Sequence, residues 1–295
     1  MSQFLLNAIE QLKTKIYYSA VVALSLVFLS SQVLAVPVDL GAAGPQNWTV
    51  LEIGNGNVSI ANASNAGSIT GNVGVNGGNL SDSGVPITGN VVTSSSATVN
   101  PNVAANVSGT ISQNAASLAS AATAAESASS TAAGLASSGG GVGVSSIVYN
   151  NAGTIDLNPG VYNLTDLKLN GTILDLTAGV NYVFNISGQL SLNSSEILDL
   201  TAADVLFNIT GTQGVQLAGG LNNESVLDGI VLAPDAQISE TPGSILGEII
   251  SGQNINIASG AKIQGVASVP DSGSCMFLLS IGIGCLIQAK KRFLS

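Results

Sequence analysis

The 295-residue chain contains no histidine, and its single arginine, Arg292, lies near the C-terminus. The only cysteines, Cys275 and Cys285, lie in the same terminal stretch, so residues 36–268 cannot form a disulfide. This central part has two lysines against fifteen carboxylates, a formal charge of 2 − 15 = −13. Because nucleic-acid binding depends on lysine and arginine neutralising phosphates, this composition excludes nucleic acid as a partner.

The same missing side chains argue against catalysis. General acid–base chemistry usually needs a histidine, a buried carboxylate or a lysine of lowered pKa, and a serine nucleophile needs a base beside it. Paired carboxylates alone could serve a glycosidase, but no converging motif is visible. We therefore predict a protein that is not an enzyme, with no catalytic residues and no cofactor.

The N-terminal segment has the features of a secretory signal peptide. Lys13 and Lys15 precede an apolar run over residues 17–29, and Val33 and Ala35 stand three and one positions before the expected cut. We predict that signal peptidase removes residues 1–35 and that the protein is exported.

The C-terminal residues 269–295 combine a short motif, an apolar run over residues 274–289 and a basic end. The motif is Val269, Pro270, Asp271, Ser272 and Gly273, and the basic end is Lys290, Lys291 and Arg292. About 16 apolar residues is short for a span that usually needs about 20, although an ordinary membrane anchor with cytoplasmic stop charges remains one interpretation.

This tail resembles the PEP-CTERM class of exosortase substrates, in the variant whose motif is VPDSG. The resemblance implies cleavage near the motif by an exosortase-like enzyme, with transient or permanent membrane anchoring. It also implies display at, or release from, the outer surface of the cell envelope.

Internal repeats dominate the central part, predicted as one domain over residues 36–268. Residues 69–73 recur at 87–91, residues 184–187 at 207–210, residues 173–178 at 197–202 and residues 227–232 at 246–251. The offsets of 18, 23, 24 and 19 residues are typical of one coil of a β-solenoid. Short runs of Val, Ile, Leu and Thr between Gly, Asn, Asp and Ser clusters agree with this. Period-two alternation places Leu174 and Leu176 inward, and by the same pattern Leu198 and Leu200.

The alanine- and serine-rich stretch at about 111–137 breaks the strand pattern. It contains no proline, and we predict a helix with Ser112 as a candidate N-cap, packed along the solenoid; a disordered linker is the alternative. The fold class is therefore mainly β, a right-handed discontinuous parallel β-solenoid with one long α-helix alongside, plus hydrophobic helices at the signal peptide and the C-terminal tail.

The order of segments resembles the ice-binding-protein-like β-solenoids. The residues that carry this resemblance are 48–51, 71–75, the long Ala-rich segment, 157–162 and 183–186, while residues 204–208 and 229–236 resemble the choice-of-anchor A surface domain. The resemblance implies a right-handed discontinuous β-helix with a helix beside it.

Two functions remain open from the sequence. The first is a structural or adhesive component of the cell envelope or extracellular matrix, with surface glycans as candidate partners. The second is ice binding through a flat face of threonine, serine and alanine, for which the candidates are Thr70, Thr88, Thr177, Thr201 and Thr210. Threonine is also a common strand former, and no uninterrupted threonine file is visible.

Two further features concern ligands and modification. Asp175 and Asp199 would stack about 5 Å apart if their coils are adjacent, which makes them weak calcium candidates, although solvated outward acids are the simpler interpretation and no metal site is predicted. Sequons recur along the chain, but asparagines stacked in corners, where they satisfy turn backbone, explain them better than glycosylation.

Overall fold

The computed structural model describes residues 38–61, 67–199, 204–219, 223–258 and 260–265. The predicted signal peptide with Val33 and Ala35, and the predicted tail with its motif 269–273 and stop charges 290–292, lie outside the described residues. Within the described ranges, no helix has both the length and the apolar character needed to cross a bilayer.

The first block of strands follows a short 3-10 helix, Gly41–Ala43, and contains a second one, Pro101–Ala105. Its strands are short because Gly, Asn and Ser turns interrupt the β-branched runs every few residues. They are β1 (Val50–Glu52), β2 (Val58–Ile60), β3 (Ser68–Thr70), β4 (Val73–Val75), β5 (Asn79–Asp82), β6 (Ile87–Thr88), β7 (Val91–Thr93), β8 (Thr98–Val99) and β9 (Ile111–Gln113).

The helix α1 (Ala115–Ala133) separates this block from a second and longer one. The second block consists of β10 (Ser138–Gly139), β11 (Ile147–Leu157), β12 (Gly160–Leu164), β13 (Leu167–Leu176), β14 (Tyr182–Ile186), β15 (Leu190–Asn193), β16 (Glu196–Leu198), β17 (Val205–Ile209), β18 (Val215–Ala218), β19 (Ser225–Ala233), β20 (Ile238–Thr241), β21 (Gly243–Ser251), β22 (Ile255–Ile257) and β23 (Lys262–Gln264).

Three parallel ladders form the three faces of a solenoid. The helix-covered face stacks β12, β14, β17, the second halves of β19 and β21, then β1, β4, β7 and β9. The neutral face stacks the first halves of β11 and β13, then β15, β18, β20, β22, β2, β5 and β8. The charged face stacks the second halves of β11 and β13, then β16, the first halves of β19 and β21, β23, β3 and β6.

The stack does not follow chain order. Val50 of β1 pairs with Val73 on one side and with Ile249 of β21 on the other, so the last coil of the chain lies against the first. The first block extends away from this junction, and α1 packs along the helix-covered face from β7 to β14. The predicted discontinuous parallel solenoid with one helix alongside is therefore confirmed.

The predicted coil lengths agree with the observed pairs, which range from 18 residues for Val231 and Ile249 to 24 for Leu206 and Ile230. Two of the four repeat alignments are confirmed residue by residue. Ile69 pairs with Ile87, and Phe184 pairs with Phe207.

The other two alignments are wrong by one residue. Leu174 pairs with Ile197, an offset of 23 rather than 24, so Ile197 is buried and Leu198 is only half-buried, while Leu200 lies outside the described residues. The preceding segment sets this register, because Leu167 and Leu169 stack on Leu190 and Leu192 at the same offset of 23. A slip of one residue would turn all of those leucines outward.

The second correction involves a corner. Asp228 pairs with Leu246, an offset of 18 rather than 19, because Gly229 and Gly247 stack on each other where β19 and β21 turn from the charged face to the helix-covered face. Both glycines have φ near 150°, and a Cβ on Gly247 would lie 1.9 Å from the Gly229 carbonyl oxygen. Only glycine fits this pair of positions.

The helix begins later and ends earlier than the predicted 111–137. Ile111–Gln113 forms β9, and Ser112 pairs with Val92 instead of capping the helix. The cap is Asn114, whose side chain accepts a hydrogen bond from the Ser117 N–H at 3.1 Å. The free edge of β7 thus captured residues whose local composition favours a helix.

The interior has two layers. Inside the coils, Tyr162, Phe184 and Phe207 stack with ring centroids 5.0 and 5.1 Å apart, within a core of Val, Ile and Leu. Between the helix and its face, small side chains allow a close approach to a row of apolar residues. The buried helix residues are Leu118, Ala121, Ala125, Ala128 and Ala132.

A ladder of buried amides joins the end of α1 to the coils. Asn185 Nδ2 donates to Asn163 Oδ1 at 2.8 Å, and Asn208 Nδ2 donates to Asn185 Oδ1 at 2.9 Å. The same Asn185 and Asn208 nitrogens also donate to the helix carbonyls of Ala132 and Ser129, at 2.7 and 3.0 Å. The prediction that stacked asparagines satisfy backbone groups is confirmed here.

Candidate binding surface

The neutral face carries a file of uncharged polar side chains across six successive coils. Each strand in this part of the stack alternates inward apolar and outward polar residues, as period-two geometry requires. The outward positions lie in register from β15 to β5, and they are Ser191, Gln216, Ser239, Asn256, Ser59 and Ser81.

A second row lies two residues further along each strand. It consists of Asn193, Ala218, Thr241, Ala258, Ala61 and Ser83, all exposed or half-buried. Backbone hydrogen bonds continue the ladder through the last three, for example from Ala61 N–H to Ile257 O at 2.8 Å. This row presents methyl, hydroxyl and amide groups only.

A third row lies two residues before the first, at the corner that leads from the helix-covered face. Its members are Gln189, Gly214, Gln237, Asn254, Asn57 and Asn79. The asparagines are held by the next coil, because Asn254 Oδ1 accepts from Asn57 N–H and Asn57 Oδ1 accepts from Asn79 N–H, each at 2.9 Å. Their orientation is therefore fixed by the backbone.

These three rows define a surface with regular spacing and no charged side chain. Neighbouring strands lie about 4.8 Å apart, so six strands extend about 24 Å along the stack. At the β13 end the surface stops at Lys168, which pairs in register with Ser191 and forms an ion pair with Asp166 at 3.0 Å. The Gln189 N–H bond and the neighbouring Lys168 lower the pKa of Asp166.

One carboxyl group lies beneath the neutral face. Glu240 of β20 points inward between Leu217 and Ile257 and is fully buried, and neither oxygen of its carboxyl group has a hydrogen-bond partner. Burial, with a smaller contribution from Glu224, raises the pKa of Glu240 to about 8. Glu240 is therefore protonated at neutral pH, and it adds no charge to the surface above it.

The charged face differs sharply from this surface. Asp156 and Asp175 pair directly in register and are both exposed, and Lys262 is exposed further along. Burial, together with the charges of Asp199 and Glu196, raises the pKa of Asp228, although a hydrogen bond from Asp199 N–H at 3.1 Å opposes this. This face therefore carries outward acids.

The structure does not assemble the predicted threonine face. Thr70 and Thr88 pair with each other and are exposed, but they lie at one end of the charged face. Thr177 follows β13 at the opposite end of that face, and Thr210 follows β17 at a corner near the end of α1. Thr201 lies outside the described residues.

The predicted stacking of Asp175 on Asp199 is also wrong. Because the register is 23, Asp175 pairs with Leu198, and Asp199 is almost fully buried instead of outward. The acid that stacks on Asp175 is Asp156. Among the described residues, no group of three or more His, Cys, Asp or Glu side chains is placed to hold a metal ion.

Sequence reasoning missed the neutral face for a specific reason. Each coil supplies only a short apolar–polar–apolar segment, such as Val58–Ile60 or Ile255–Ile257, and the polar residue differs from coil to coil. These triplets do not repeat as letters, so a search for identical residues cannot align them. A search for uncharged residues between two apolar ones would have found most of the first row.

The fold and its outward surfaces define a class, the discontinuous parallel β-solenoids with a helix packed on one face. The chain belongs to the family of ice-binding-like adhesive domains, whose model matches residues 31–264. The resemblance to ice-binding-protein-like solenoids is thus confirmed. The choice-of-anchor A and VPDSG resemblances stay predictions.

Solved structures agree on the fold. An ice-binding protein from the Antarctic ascomycete Antarctomyces psychrotrophicus is 19% identical, with 78% of this chain and 99% of that chain covered and a TM-score of 0.50. One from an Antarctic bacterium of the Flavobacteriaceae is 19% identical, covers 79% and 48%, and has a TM-score of 0.54. One from an Arctic yeast is 19% identical, covers 79% and 96%, and has a TM-score of 0.50. No protein of curated function matches the chain.

Proposed function

We propose that the protein is an exported, non-enzymatic adhesive β-solenoid and that the neutral face is its binding surface. The observation that carries this proposal is the charge-free array of hydroxyl, amide and methyl groups over six coils, in a chain whose acids lie on the charged face or inside. Family membership supports an adhesive role.

The chemistry of the neutral face favours an extended, uncharged ligand with repeating hydroxyl groups. Each serine or amide contributes one weak hydrogen bond in competition with water, so affinity depends on many bonds formed together. The parallel ladders hold these groups at fixed spacing, which lowers the entropy lost when a rigid ligand binds. Polysaccharide at the surface of a cell or matrix fits this description.

Ice is the second candidate, and it is supported about equally well. The middle of the second row, which is Ala218, Thr241, Ala258 and Ala61, consists of small methyl- and hydroxyl-bearing residues. A flat arrangement of such groups suits an ordered water lattice. Several solved proteins with this fold bind ice according to their descriptions.

The end of the described chain supports outward display. Gly265 N–H donates to Thr70 O at 2.9 Å and lies beside Thr49, at the corner between the charged and helix-covered faces. A sorting tail attached there would hold the protein by the edge opposite the neutral face. We accordingly include export through signal peptidase and surface sorting by an exosortase-like enzyme in the proposed function.

The test compares two serine variants of the purified protein. Ser239→Lys introduces a charge in the first row of the neutral face, whereas Ser244→Lys introduces the same charge at a half-buried outward position on the charged face. Binding is measured by ice-crystal shaping with thermal hysteresis and by co-sedimentation with insoluble polysaccharides. We expect Ser239→Lys to lower the active binding by about tenfold or more and Ser244→Lys to leave it near wild type.

Either ligand can emerge from this experiment. Shaping without polysaccharide binding favours ice, and the reverse favours glycan adhesion. Equal effects of the two variants on the same ligand would contradict the assignment to the neutral face, and loss of both binding activities in the wild type would contradict the proposed function.

A further inference from the structure

A second charge-free site lies on the opposite side of the molecule. A groove of about 440 Å³ opens between the start of α1, the segment before β1 and the corner where the charged face meets the helix-covered face. We call it the N-terminal groove. Its polar lining residues are Gln46, Asn47, Asn72, Asn90, Ser117 and Ser120.

An asparagine ladder fixes the amides in this groove. Asn72 Oδ1 accepts from Asn90 N–H at 3.0 Å, and Asn90 Oδ1 accepts from both the N–H and the hydroxyl of Thr110 at 3.0 Å. Because Oδ1 of Asn90 is held by the next coil, its Nδ2 faces away from the ladder. Within the described part of the chain, no group accepts a hydrogen bond from that nitrogen.

The wall of the groove is apolar and fixed. The Trp48 indole N–H donates to Ala42 O at 2.9 Å, and its ring packs so closely on Gly74 that an added Cβ would lie 2.8 Å from ring atom Cζ3. Val92 continues the wall. Opposite, Ser117 and Ser120 add hydroxyl groups from the first turns of α1.

We propose that the N-terminal groove binds a short neutral oligosaccharide. Its lining has no Lys, Arg, His, Asp or Glu, so it offers nothing that would attract an ion. Amides supply both donors and acceptors to neighbouring sugar hydroxyls, and an aromatic and aliphatic wall packs against sugar C–H groups. A concave site with an apolar wall and a few oriented polar groups is the usual form of a small-ligand site.

The N-terminal groove is independent of the neutral face. It is closed on one side by α1 and suits a chain end or a branch, whereas the neutral face suits an extended surface. Trp48 is the only tryptophan in the protein, so its fluorescence and its indole N–H resonance report on the groove without other contributions.

The experiment titrates the full chain with cello-, malto- and chito-oligosaccharides while the Trp48 signals are recorded. We expect at least one series to shift them with a Kd of about 1 mM or tighter. Ser120→Tyr, which fills the groove from an exposed helix position, should abolish the shift. Ser127→Tyr, at an exposed position of the same helix outside the groove, should not.

A second variant tests the oriented donor. Asn90→Asp keeps the oxygen that Thr110 needs but replaces Nδ2, and we expect binding to weaken by about tenfold or more. Absence of a Trp48 shift with all three series would overturn the proposal. So would a shift that survives Ser120→Tyr but disappears in Ser239→Lys, because the sugar would then bind the neutral face, and the proposed adhesive function would stand without this groove.

Discussion

The neutral face and the charged face are built from the same coils by the same alternation of inward and outward residues, yet their outward chemistry differs. Across six coils the neutral face presents serine, asparagine, glutamine, alanine and threonine, while the charged face presents Asp156, Asp175, Glu196 and Lys262. Stability of the coil requires only the inward residues. The outward ones are free to differ, so the absence of charge on one face points to a surface selected for contact.

The largest expected effect concerns Glu240, the carboxyl buried beneath the neutral face. Its pKa in the folded protein is about 8, well above that of an exposed glutamate, so the folded state holds a proton that the unfolded state releases above about pH 4.5. The free energy of unfolding should therefore fall as pH rises from about 4.5 to about 8, by at most about 1.4 kcal/mol per pH unit.

Glu240→Gln should remove this dependence, which denaturant unfolding from pH 5 to pH 9 would measure. Burial raises the pKa of Glu248 in the same direction, but that residue is present in both proteins and cancels in their difference. A wild-type minus variant difference that stays constant with pH would show that Glu240 does not carry a buried proton.

The covered face offers the next largest effect. Asn208 is fully buried and makes hydrogen bonds to Ser129 and Asn185, so Asn208→Ala leaves several buried groups without partners and should cost about 2 kcal/mol of stability. Asn193→Ala, at the exposed end of a similar ladder on the neutral face, should cost about 0.5 kcal/mol or less. Urea unfolding compares the two, and equal losses would mean that the helix ladder adds no stability of its own.

A threonine pair tests directly which face binds. Thr241 is exposed on the neutral face and Thr70 is exposed on the charged face. We expect Thr241→Tyr to reduce ice or polysaccharide binding by about tenfold, or about 1.4 kcal/mol, because a bulky ring interrupts the flat second row. Thr70→Tyr should have little effect. The opposite result, measured in the same binding assays, would restore the threonine face expected from the sequence.

The smallest effect concerns the two stacked acids. Asp156 and Asp175 are like charges on directly paired residues, so Asp175→Asn should raise the free energy of unfolding by about 0.3 kcal/mol at low salt. The gain should vanish at high ionic strength because salt screens exposed charges. A gain that persists in concentrated salt would indicate a cause other than repulsion.

The sequence predicted the coil length, the discontinuity, the helix beside the coils and two registers, because these follow from apolar periodicity and from repeats of identical letters. It failed where two signals competed. At Asp199 the repeated letters favoured one register and the leucines of the preceding face another, and the leucines prevailed because a slip would expose them. At Ser112 a free strand edge outweighed local helix composition.

By itself, the sequence determined the chemistry available to this protein. A central part with no histidine, no arginine and no cysteine, and with apolar runs repeating every 18 to 24 residues, fixed a stacked β-solenoid and left little means for catalysis. Only the tertiary structure decided which outward residues share a surface. Neighbours on the neutral face are a whole coil apart in the chain, and the register that aligns them is set by inward packing and by glycine corners rather than by the outward residues themselves.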